Sequence, residues 1–420
     1  MTGPRVTVLP NGLRVVTEAM TGVETASLGV WVDVGTRHEP APVNGVAHLL
    51  EHMAFKGTTT RSARAIAEEI ETVGGHLNAY TSREQTAYYA KVLKEDLPLG
   101  LDILSDILQH STFDPEELDR ERTVIVQEIG QAADTPDDYI FDLFQERAFP
   151  DQAMGRPVLG EAEIVRTIPR DEVAAYMRQH YTAERMVLSA AGAVDHDRLV
   201  DLAAGAFAEL PRGGVCETEA ADYRGGDRRE ESDLEQVHLT LGFPSVSYTD
   251  PDYYTASVLS TVLGGGMSSR LFQEIREKRG LVYTVYSFAS AYADGGLFGI
   301  YAGTGEDEVR ELMPVLCDEV NRLADSLDEA EIARARAQLK ASLLMGLEST
   351  SSRCEHIASQ ILIYGRPVPA AEIVARIEQV DRAAVSQLAK RIFAAEPTFT
   401  ALGPIGGIES FDKIRTRLRG

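Results

Sequence analysis

A chain of 420 residues exceeds what one hydrophobic core usually serves, so two or three domains are expected. Its 44% hydrophobic and 25% charged residues exclude a disordered chain, and no run approaches the roughly 20 apolar residues that span a bilayer. A net charge of −24 repels nucleic acid and anionic lipid, so neither nucleic acid nor membrane is expected as a partner.

In chain order, residues 6–9 and 13–17 flank Asn11-Gly12 and predict a β-hairpin, with neither the apolar core of a signal peptide nor the helix of a transit peptide. Residues 26–34 read as a strand, 43–55 and 63–73 as helices, and 77–81 with 86–92 as a strand pair. Helices over 96–110, 115–132 and 140–147 complete the first half, the second of them opened by Asp114 as N-cap before Pro115. Residues 211–235 carry Gly213-Gly214 and Gly225-Gly226 among charged residues with few apolar ones, and read as a linker. Beyond it the order returns: strand 237–243, helices 253–263 and 269–278, strand pair 282–289 and 296–302, then helices 307–325, 329–347 and 371–377. This recurrence at a spacing of roughly 210 residues predicts an α+β fold of two homologous domains, each an antiparallel β-sheet with helices on one face. The expected boundaries are 1–212, a linker over 213–234, and 235–420.

Cys216, Cys317 and Cys354 are odd in number and far apart, which fits buried thiols in a reducing, cytoplasmic compartment. Gly264-Gly265-Gly266 lacks the Lys-Ser/Thr of a phosphate loop and reads as a turn.

The chemistry concentrates in His48-Leu-Leu-Glu51-His52. Helical pitch puts the two imidazoles one turn apart on one face with Glu51 beside the second, an arrangement that can hold a metal and aim a carboxylate at its open position. It inverts the order of the H-E-x-x-H zinc helix, and chance produces it on the order of 0.02 times in such a chain. The alternative, two core histidines and a solvated glutamate, is costly, because Leu49, Leu50 and Met53 already supply the apolar face. A catalytic zinc site takes a third protein ligand, and Glu121 and Glu128, two turns apart on the helix 115–132, are both candidates by spacing alone.

The run from His48 to Gly57, followed by Glu128, resembles the inverted-motif zinc metallopeptidases of the pitrilysin/insulinase type (M16), and within them the processing-peptidase β-subunit branch and its bacterial relatives. The segments 75–82 and 264–283 extend the resemblance along the chain. It implies His48, His52 and Glu128 as Zn2+ ligands, Glu51 as general base and Glu121 as an outer carboxylate supporting the site. It further implies that Asn78 and Ala79 pair with the backbone of a peptide substrate, and that Arg276 and Tyr283 hold the substrate and its tetrahedral intermediate. From the residues alone, Arg276 and Tyr283 would read as a cationic helix end and a sheet tyrosine. In such peptidases the Arg/Tyr pair acts from an opposing half, which for a chain of this length implies a homodimer with composite active sites. The expected activity is zinc-dependent endopeptidase cleavage of extended oligopeptides or presequence-like segments. A non-catalytic scaffold, or a processing subunit dependent on a different partner, is the competing expectation.

Overall fold

The computed structural model describes residues 3–214 and 218–419, which leaves Cys216 outside the described residues. Six strands, β1 (Arg5–Val8), β2 (Arg14–Ala19), β3 (Thr25–Val32), β4 (His76–Thr81), β5 (Thr86–Leu93) and β6 (Met186–Gly192), form one sheet in the order β1-β2-β6-β3-β5-β4. A second sheet has the order β7-β11-β8-β10-β9, from β7 (Gly226–Glu231), β8 (Val237–Ser245), β9 (Val282–Ala291), β10 (Gly296–Thr304) and β11 (Thr398–Gly403). Leaving out β1, the two orders coincide strand for strand. The one parallel pair falls at the same place in each, β2 with β6 and β7 with β11, which is how a duplicated unit looks.

The expected α+β class and the repeat therefore hold, as does the N-terminal hairpin, where Gly12 takes a φ of +100° and Leu9 N–H donates to the Leu13 carbonyl. Two expectations are corrected. Gly226–Glu231, read from its charges as linker, is the edge strand β7, and charged side chains on an edge are compatible with pairing on one side only. The helix over 269–278 is a π-helical turn, Phe272–Glu277.

The helices before β6 include α1 (Val46–Ala54), α2 (Ala63–Thr72), α3 (Leu97–Gln109), α4 (Pro115–Ala133) and α5 (Pro136–Ala148). Leu49, Leu50 and Met53 of α1 are fully buried against the inner face of the first sheet, together with Ile103, Leu104 and Ile107 of α3. Asp114 caps α4 as expected, its carboxylate accepting from the Glu116 and Glu117 amides. Leu118, Glu121 and Ile125 are the buried residues of α4, so Glu121 lies on its buried stripe.

Packing does not follow the halves of the sequence. One compact unit holds the chain up to Gly130, Arg156–Glu219 and Leu344–Pro369; the other holds Gln131–Gly155, Ala220–Leu343 and the chain from Ala370 on. Helix α5, assigned from the sequence to the first half, packs in the second unit. Its Ile140 and Leu143 meet Tyr301 and Leu402, and Gly242 of β8 leaves room for Phe144, whose ring an added Cβ would strike at 2.3 Å. In return the helix Thr350–Tyr364 covers the outer face of the first sheet, burying Cys354, Ile357 and Ile361 against Val16, Trp31 and Val187. Arg353 pairs with buried Glu18, and Ser189 Oγ donates to the Cys354 carbonyl at 2.7 Å.

Ile357→Ala should cost about 2–5 kcal/mol in urea unfolding. Hydrogen exchange should accelerate in β2, β3 and β6; acceleration in β8 and β10 instead would contradict the packing assignment.

Candidate metal centre

The geometry starts at α1. Gly45 opens the helix with a φ of +95°, and the 3.6-residue repeat that buries Leu49 and Met53 turns His48 and His52 to one side, their ring centroids 4.6 Å apart and nearly perpendicular at 72°. Across from them, α4 presents Glu121 and Glu128 two turns apart. Glu128 Oε2 lies 3.5 Å from His52 Nε2 and 3.9 Å from His48 Nε2. One ligand atom from each of His48, His52 and Glu128 falls within 4.8 Å of the others, the one such His/Cys/Asp/Glu grouping among the described residues.

Glu121 is placed differently. Its Oε2 accepts from His52 Nδ1 at 2.9 Å, and its Oε1 pairs with Lys56 Nζ at 2.7 Å. A carboxylate can only accept, so the His52 proton sits on Nδ1 and the lone pair of Nε2 is left toward Glu128. Glu121 and Glu128, equivalent by spacing, thus face different nitrogens of His52. Two imidazole nitrogens and one carboxylate oxygen, with the tautomer of one imidazole fixed, suit a zinc ion with room for a further ligand.

The surroundings move the two imidazoles in opposite directions. Burial, reinforced by neighbouring His52, lowers the His48 imidazole to about 4, which keeps it neutral as a ligand must be. Burial also pushes His52 down, but its bond to Glu121 and the charges of Glu128, Glu121 and Glu51 outweigh that and move it up. For Glu121, burial acts upward and is overcome by His52 and Lys56, so the carboxyl stays below its ordinary value. Glu51 goes the other way: burial raises it, Glu128 adds to the rise, and the bond from Thr81 and the charge of His52 draw it partly back.

Thr81 is a residue the sequence reading missed. Its Oγ1 donates to Glu51 Oε2 at 2.6 Å from the end of β4, on the same strand face as Leu77 and Ala79. A polar residue closing an otherwise apolar alternation was the available signal. Lys56, four residues after His52, was missed as well, and its i+4 spacing gave a hint. Asn78 and Ala79 lie on β4, whose only sheet partner among the described residues is β5, so this strand is the sheet's edge; Asn78 is exposed, and the Ala79 amide donates to Asn78 Oδ1 at 2.9 Å. Arg276 and Tyr283 belong to the second unit. There Tyr283 is 74% exposed, and the Arg276 guanidinium lies over Phe272 at 4.9 Å and Tyr283 at 5.7 Å.

Sequence comparison defines the class. Residues 14–162 match the model of the insulinase peptidase family M16, and residues 167–339 match that of the M16 inactive domain, so the chain belongs to family M16, a zinc-dependent peptidase family. Among its relatives, a probable mitochondrial-processing peptidase subunit beta of Arabidopsis thaliana is 41% identical over 98% of this chain and 81% of its own length. An uncharacterized zinc protease of Rickettsia bellii is 42% identical over 94% of this chain and 96% of its own, and one of Bacillus subtilis is 37% identical over 95% and 98%. A chain of complex III2 from Candida albicans has the same fold, with a TM-score of 0.88 at 22% identity over 99% of both chains. No helix among the described residues is long and apolar enough to cross a membrane.

Glu121→Gln should weaken zinc binding about 10- to 100-fold, and Lys56→Met should weaken it in the same direction, as read by competition with a chromogenic chelator. Unchanged affinity in Glu121→Gln would remove that residue from the metal centre.

Proposed function

We propose that this chain is a zinc-dependent endopeptidase acting on extended oligopeptides, including basic presequence-like segments. The observation that carries the reading is the convergence of His48, His52 and Glu128 on one point, with Glu51 on the same helix and the free edge of β4 beside it. The name of the Arabidopsis relative supports a processing role, and a net charge of −24 favours basic peptides.

His48, His52 and Glu128 would hold the ion, and zinc, when bound, supplies Lewis acidity to the scissile carbonyl and acidity to the attacking water. Glu51 takes the proton from that water and returns it to the leaving amine, a task served by a carboxyl that burial raises. Thr81 fixes one oxygen of Glu51 by its hydrogen bond, leaving the other for the transfer. The substrate adds as a strand along β4 at Asn78 and Ala79, which reads main chain and therefore requires an unfolded segment. Docking there competes with the Asn78 side chain for the Ala79 amide.

Tyr283 donates to the developing oxyanion and Arg276 orients substrate carbonyls, functions suited to a pair this exposed. We infer a homodimer in which the zinc centre of one protomer works with the partner's Arg276 and the partner's Tyr283. We infer a cytoplasmic location, a reading supported by the free, buried Cys317 and Cys354, which a reducing compartment keeps as thiols.

Extended peptides incubated with wild type and Glu51→Gln, each with and without chelator, provide the test by mass spectrometry. Cleavage by wild type alone, abolished by the chelator, is expected, with a loss of about 10²-fold or more in Glu51→Gln; no cleavage by zinc-loaded wild type would sink the reading. For the dimer, His52→Ala and Arg276→Ala chains should each be inactive and regain activity on subunit exchange. Full activity in a monomer would refute it.

A further inference from the structure

Helix α1 has an N-terminus that cannot cap itself. Gly45 stands at the N-cap position with a φ of +95°, where L side chains are strained, and a Cβ there would meet Val165 Cγ2 at 2.9 Å, with Gly160 Cα and the Leu159 carbonyl at 3.0 Å. The position is closed to the Ser, Thr, Asp or Asn that usually satisfies the first amides of a helix. Those amides are nevertheless buried, and a buried N–H without a partner is costly.

Glu39, six residues earlier and only 3% exposed, fills the gap. Its Oε2 accepts from the Gly45 amide at 2.9 Å and from Asn44 Nδ2 at 2.8 Å, and its Oε1 accepts from the Ala47 amide at 2.8 Å. Its own carbonyl accepts from Arg156 Nη2, which anchors the backbone that delivers the carboxylate. A carboxylate at this end also complements the positive pole of the helix. Ala47 immediately precedes His48, so the bond to its amide fixes the first turn of α1 one residue before the first metal-facing imidazole. Burial raises the Glu39 carboxyl to about 7, while the Ala47 and Gly45 amides, Asn44 and Arg156 draw it back.

We propose that Glu39 is a positioning residue of the metal centre: a carboxylate cap supplied from outside the helix that holds the first turn of α1, and with it His48, in place for zinc. The inference rests on the reading of His48, His52 and Glu128 as zinc ligands. It assigns a role to a buried charged group that the hydrolytic steps do not use.

The test measures two quantities, zinc affinity by chelator competition and amide hydrogen exchange of the metal-free protein. Glu39→Gln keeps the volume but turns an NH₂ toward one of the two amides, so zinc affinity should fall about tenfold or more, with exchange accelerated at residues 44–50 and unchanged in the second sheet. Asn44→Ala leaves both amide bonds to the carboxylate and should bind zinc close to wild-type strength. Zinc affinity in a folded Glu39→Gln equal to wild type would overturn the proposal, as would a loss accompanied by exchange that rises uniformly across the chain. If Glu39→Gln does not fold, the wild-type protein decides: Gly45 and Ala47 amides protected like the core support the cap, and amides exchanging like an exposed loop overturn it. A wild type that binds no zinc counts against the functional reading, and the exchange data still decide the cap.

Discussion

Two imidazoles on α1 meet a carboxylate on α4 at a single point only if the helix that carries them cannot roll, and that constraint organises the first unit. At one end of α1, Lys56 and Glu121 form a pair in which the carboxylate faces the ammonium with one oxygen and His52 with the other. Removing the cation would leave a buried carboxylate to be held by an imidazole alone, and removing the carboxylate would free the His52 ring to change tautomer. At the other end, the carboxylate of Glu39 takes the amides that Gly45 cannot cap. Apolar packing of Leu49, Leu50 and Met53 supplies the bulk of the burial, and the charges fix rotation about the axis, which a greasy face alone leaves soft.

The same helix serves the hydrolytic chemistry through Glu51, and here the environment works in the opposite sense. The imidazole of His48, a ligand in the proposed centre, is kept neutral by burial, whereas burial moves the Glu51 carboxyl toward the range where a proton can be taken and given back. Thr81 ties Glu51 to the free strand edge, so the proposed peptide-docking surface and the proposed base share one strand. An edge strand left open is normally an aggregation hazard. In β4 the hazard is limited to six residues, and one of its outward amides is already occupied by Asn78.

The exchange of α5 and the helix Thr350–Tyr364 gives each sheet a cover drawn from the opposite half of the chain. The first sheet would otherwise expose Val16, Trp31 and Val187 on its outer face. A sheet buried on both faces is held more rigidly than one with a solvated face. For the metal centre this means that β4 and β5 sit on a sheet whose stability depends on residues some 270 positions away in sequence; Glu355 of the covering helix, for example, accepts from the Tyr80 hydroxyl of β4 at 2.9 Å.

Residue identity and period were enough to read the α+β class, the duplicated strand-helix order, the hairpin at Asn11-Gly12 and the pair of histidines with Glu51. Each element depends on spacing within about ten residues, where helix and strand pitch dictate which side chains share a face, and the duplication follows from the same order of elements returning roughly 210 residues later. What lay beyond such short ranges was settled by packing. Strand β7 was illegible because its charges mimic a loop and only its pairing with β11 makes it a strand. Helix α5 was found but assigned to the wrong neighbours, since an amphipathic pattern states that a helix has an apolar face and never which sheet will cover it. Glu121 and Glu128 were equivalent by spacing until the position of α1 set one against His52 Nδ1 and the other near both Nε2 atoms. The sequence by itself determined the helix and the two histidines it turns to one side; the tertiary structure alone decided which carboxylate faces which nitrogen, because that depends on the distance between two helices separated by sixty residues of chain.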